Sequence, residues 1–115
     1  MSRDYKVYLE DILEAVSWIR SYTQGLSLPA LAADRKTRDA VIRNLEIIGE
    51  ACRNVPQVVR SRHSEVNWRS IAGFRNVLIH EYFGVDLDVV WDVIQKDLPL
   101  LAEHVRRILD EPTEE

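Results

Sequence analysis

The chain is 115 residues long, which bounds it to one domain with a single core. It is 46% hydrophobic and 30% charged, as a globular protein in water is, and no apolar run approaches the roughly 18 residues that a membrane span needs. A net charge of -4 argues against a general nucleic-acid coat, and the single cysteine, Cys52, excludes an intrachain disulfide.

From about Asp4 to Tyr22 the apolar residues Tyr5, Tyr8, Leu9, Ile12, Val16 and Ile19 recur every three or four positions, which predicts an amphipathic helix. Gly25 suits the left-handed position that closes it, and Ser27-Leu28-Pro29 reads as the capped start of a short turn. A second long helix is predicted from about Asp34 to Asn54, with Val41, Leu45, Ile48 and Cys52 on its buried stripe and Pro56 stopping it. Residues 55–66 form a connector with room for one helical turn. Asn67 is a suitable N-cap for a third helix running from Trp68 to Gly84. Asp86 suits the start of a fourth, reaching about Leu109, in which Pro99 should impose a kink or a split. The expected fold is all-α: an antiparallel bundle of four main helices over residues 1–109, with a frayed acidic tail at 110–115. The opening Met-Ser-Arg-Asp-Tyr-Lys has no signal-peptide pattern, so a cytoplasmic location without membrane contact is expected, in keeping with an unpaired cysteine.

Charge is unevenly spread. Residues 1–33 carry a net -1, residues 34–80 a net +4 and residues 81–115 a net -7, so a local basic surface can exist on an acidic chain. The positive middle ends in Arg75-Asn76-Val77-Leu78-Ile79-His80-Glu81-Tyr82. There a permanent cation, an amide, an imidazole titrating near neutrality and a phenol stand together, a set suited to an anionic phosphate and to proton transfer. The spacing Arg-x4-His is uninformative alone: with twelve Arg and three His, and four to six intervening residues allowed, roughly one match is expected by chance. On a helix, Asn76 and His80 share a face, and Arg75 must reach in from about 140° away. An imidazole beside a guanidinium is what RNA cleavage by 2′-hydroxyl attack would use, with no metal or cofactor required. The alternatives stay open at this level: a helix-capping or core role for His80, an ion pair of Arg75 with Glu46 or Glu50, and a core-edge ring for Tyr82. Cys52 reads as a buried, inert thiol, His63 and His104 as surface residues, and Trp68 and Trp91 as core anchors rather than base-stacking platforms.

The run Ile71-Ala72-Gly73-Phe74-Arg75-Asn76-Val77-Leu78-Ile79-His80-Glu81-Tyr82-Phe83-Gly84-Val85-Asp86 resembles the signature of HepT-like proteins of the HEPN superfamily. The helix at 34–51, Trp68, Trp91 and Asp97-Leu98-Pro99 match the same family, so the resemblance covers nearly the whole chain. It implies a metal-independent endoribonuclease acting as the toxin of a toxin–antitoxin pair, with Arg75 and His80 catalytic and Asn76 supporting them. It further implies a homodimer with a composite site, and a nucleotidyltransferase antitoxin of the MNT type that attaches AMP to Tyr82. A bulky anionic group there would block RNA and offset the cations. The competing expectation is a non-catalytic helical module that holds a nucleotidyltransferase or a nucleotide.

Overall fold

The computed structural model describes residues 4–73 and 87–111, in which all regular structure is helical and no strand occurs. Helix α1 spans Tyr5–Thr23, and the Asp4 carboxylate caps it by accepting from the Lys6 N–H at 3.0 Å. Its stripe Leu9, Ile12, Val16 and Ile19 is buried as the periodicity predicts. The Thr23 hydroxyl, in the last turn, donates to the Ile19 carbonyl at 2.8 Å. Gly25 follows at φ +77, a left-handed conformation that strains residues bearing a Cβ. The Ser27 hydroxyl then accepts from the Ala30 N–H at 3.2 Å and starts α2, Leu28–Ala33.

Asp34 ends α2 and starts α3, Arg35–Asn54. Its carboxylate accepts from the Thr37 N–H at 3.1 Å and from the Thr37 hydroxyl at 2.8 Å. These bonds, the backbone one foremost, hold its carboxyl below the usual aspartate range. Val41, Leu45, Ile48 and Cys52 bury the face of α3 that meets α1 and its neighbours. Burial pushes the Cys52 thiol up to about 12, and the nearby Arg60 charge offsets only part of that. A buried, inert cysteine is what its setting among apolar residues predicts.

Helix α4, Gln57–Arg62, fills the expected turn of the connector. Helix α5 begins at residue 68 and is described to residue 73, and α6 spans Leu87–Asp92. The expected terminators Gly84 and Asp86 lie outside the described residues. The chain then passes through a π-helical segment, Val93–Asp97, into α7, Leu98–Asp110. Pro99 sits in the first turn of α7, and the Leu98 N–H donates to the Val93 carbonyl, five residues back. A proline has no N–H to donate and its ring crowds the carbonyl four residues earlier, so the widened register takes up the break expected at Pro99.

α1 packs along α3 and against α7, while α2 bridges α3 and α6. The molecule measures 49 × 28 × 23 Å, two to three helix diameters across its narrow directions at about 10–12 Å each. Leu9, Ile12, Ile19, Leu31, Ile48 and Ile108 are wholly buried at its centre. Each such side chain contributes about 1.5–3 kcal/mol.

His63 departs from expectation, being only 8% exposed. It follows the end of α4, where its Nε2 lies 3.2 Å from the Glu111 carboxylate and its Nδ1 3.7 Å from that of Glu65. Glu111 comes from the far end of the sequence, so no local pattern could announce this burial.

Candidate active site

Arg75, Asn76, His80 and Tyr82 lie outside the described residues, and with them the Arg-x4-His-x-Tyr run. The structure does describe what brings the chain to that run and what receives it. Asn67 caps α5: its side-chain oxygen accepts from the Ser70 N–H at 3.3 Å, and its carbonyl from the Ile71 N–H at 3.1 Å. Trp68 is 5% exposed, and its indole N–H donates to the His63 carbonyl at 2.9 Å. That carbonyl also accepts from the Val66 N–H, so the turn between α4 and α5 is tied from both sides. Ile71 and Ala72 pack against the core just before the run, and Leu87 and buried Val90 do so just after it. Residues 74–86 are therefore bracketed by two segments anchored in the same core.

Two small concavities flank the start of α5. One, of about 70 Å³, is mainly apolar and lies between Leu45 and Ile48 of α3, Ile71 of α5, and Val93 and Leu101. The other, of about 150 Å³, has Asn67 and Ser70 on one side and Glu65, Asp97 and partly exposed His104 around it. Two carboxylates make this second mouth a poor seat for a polyanion. Among the described residues, no group of three or more His, Cys, Asp or Glu side chains is gathered so as to hold a metal ion.

The basic residues of α3 are largely engaged with neighbours. Arg35 faces Asp39 and Arg43 faces Glu46, each at 3.7 Å and within one turn. Glu46, a candidate partner for Arg75, thus has a local partner in Arg43. Trp68 is the core anchor its position predicts, whereas Trp91 packs on the core with only part of its surface.

Comparison of the sequence with known proteins finds similarity to a ribonuclease family and to proteins named "Probable ribonuclease" or "Putative RNase". Residues 12–108 match the family model described as "Ribonuclease HepT-like". The "Probable ribonuclease HepT" of Thermococcus cleftensis is 46% identical over 101 residues, covering 88% of this chain and 92% of that protein. A Caldanaerobacter subterraneus protein named "Putative RNase" is 43% identical over 102 residues, covering 89% of this chain and 91% of its own length. A Methanocaldococcus jannaschii protein named "Gamma-glutamylcyclotransferase and putative RNase" is 40% identical over 111 residues. That match covers 96% of this chain but spans half of the longer protein. No solved structure matches the chain. No helix among the described residues is long and apolar enough to cross a membrane.

Proposed function

The chain belongs to the HepT-like ribonuclease family, and on that premise we propose that it is a metal-independent endoribonuclease whose chemistry rests on Arg75 and His80. The observation that carries this reading is the extent of the family match, residues 12–108, which runs through the whole Arg75–Tyr82 run and the helices on either side. In the proposed reaction His80 takes the proton from a ribose 2′-hydroxyl. The freed oxygen attacks the adjacent phosphorus, and the bond to the 5′-oxygen of the next nucleotide breaks. The products are a 2′,3′-cyclic phosphate and a 5′-hydroxyl, the latter protonated by imidazolium or water. Arg75 stabilises the charge that builds on the phosphoryl oxygens, and Asn76 orients the imidazole or the substrate.

Two chains related by a two-fold axis would bring two such sets to one cleft and double its positive charge. In this reading the protein is the toxin of a pair. An MNT-type nucleotidyltransferase silences it by transferring AMP to the Tyr82 oxygen, with release of pyrophosphate from ATP.

The test is incubation of the pure protein and of His80→Ala with total RNA, in the presence of EDTA. The wild type is expected to cut RNA and the variant to lose at least about 100-fold in rate. Equal cleavage by both would remove His80 from the mechanism. Binding without cleavage by the wild type would replace the enzyme with an interaction module.

A further inference from the structure

A cleft of about 620 Å³, the size of a small-ligand site, lies between the C-terminal part of α1 and the segment around the π-helical turn. One wall is Ser17, Arg20, Ser21 and Gln24, spaced to share one face of α1, and Trp91 and Gln95 stand across from it. Among the described residues, no carboxylate lines it. Arg20 makes no ion pair among the described residues, whereas Arg35, Arg43 and Arg107 each lie against an acid one turn away. A guanidinium that meets no carboxylate among the described lining residues favours an anionic ligand.

The remaining groups narrow that choice. Gln24 and Gln95 both donate and accept, as recognition of a base edge requires. Trp91 supplies an aromatic surface in the same cleft. At the mouth, Gly25 leaves the space beside its Cα open. Beside the wall on α1, Trp18 and Tyr22 are 49% and 38% exposed and stack with ring centroids 5.9 Å apart. Exposed aromatics next to a cationic groove are a means of holding unpaired nucleotides.

We propose that this cleft is a nucleotide subsite that holds one base and its phosphate from single-stranded RNA, away from the cleavage motif in sequence. The base lies against Trp91 with its edge on the glutamine amides, Arg20 takes the phosphate, and the Trp18–Tyr22 pair supports the neighbouring nucleotide. The identity of the ligand rests on the ribonuclease reading. A free nucleoside monophosphate would present the same chemistry, so both are tested.

The full-length His80→Ala protein is titrated with an eight-nucleotide RNA of mixed sequence and, separately, with the four nucleoside 5′-monophosphates, followed by amide and indole NMR shifts. The octamer is expected to shift Ser17, Gln24, Gln95 and the Trp91 indole, and Arg20→Glu to weaken octamer binding about 10-fold or more. Gln95→Ala, an exposed change, is expected to weaken it less and to alter which octamer sequence binds best. Shifts confined to other residues, or unchanged affinity in Arg20→Glu, overturn the subsite. Monophosphate binding in the cleft without octamer binding overturns RNA as its ligand. If the wild type cuts RNA while the cleft stays silent, only this proposal fails. If the octamer occupies the cleft but the wild type cuts nothing, the subsite stands and the catalytic reading fails.

Discussion

Helices α3 and α5 both start on a capping side chain, but they are held to the core differently. Asp34 makes two bonds to Thr37, and α3 then buries a residue at nearly every turn, from Val41 to Cys52. Among its described residues, 68–73, α5 has a long cap bond from Ser70 to Asn67 and a large buried side chain, Trp68, before the partly buried Ile71 and Ala72. Burial is spread along α3, and in the described start of α5 it centres on Trp68. The start of the helix that leads into the reactive run therefore takes its placement largely from one aromatic side chain.

That contrast can be broken most severely at Trp68. Trp68→Ala is expected to cost about 3–5 kcal/mol in urea unfolding. Trp68→Phe keeps a buried aromatic ring but loses part of the packed volume and the bond to the His63 carbonyl, which still holds Val66, so about 1–2 kcal/mol is expected. If Trp68→Ala proved no worse than Trp68→Phe, the anchor would lie elsewhere and the contrast with α3 would fail.

A pH-dependent effect concerns α3. The Cys52 thiol is raised from 9.0 to about 12 in the folded chain, so the unfolded chain loses its proton first as the pH climbs. The stability tied to the protonated thiol is complete below pH 9 and declines between pH 9 and 12. The free energy of unfolding measured across that window should fall more steeply for the wild type than for Cys52→Ala. Parallel curves would mean that the thiol is not held protonated by burial.

Much of this fold is legible in the sequence because its signals are local. Asp4, Ser27, Asp34 and Asn67 accept at the helix starts where short polar side chains announce caps, and Gly25 takes the left-handed turn. Pro99 signals an interruption, though not that the chain would absorb it as a π-helical register over Val93–Asp97. His63 is misread as a surface residue because Glu111, which covers it, arrives from the end of α7. The cleft is invisible for the same reason, since Arg20 and Trp91 come to line it through the packing of α1 and α7 and the bridge of α2 to α6. The reactive run is legible through its residue types and the blocks around it, and its spacing alone carries little.

The central claim is that a 2′-hydroxyl is the nucleophile and that His80 activates it. Its most direct test is an RNA whose cleavage position is first mapped with the wild-type protein and then remade with one 2′-deoxynucleotide on the 5′ side of that bond. The account predicts that this bond alone becomes resistant while other sites are still cut and yield 2′,3′-cyclic phosphates. Cleavage at the deoxy position at an undiminished rate would contradict it.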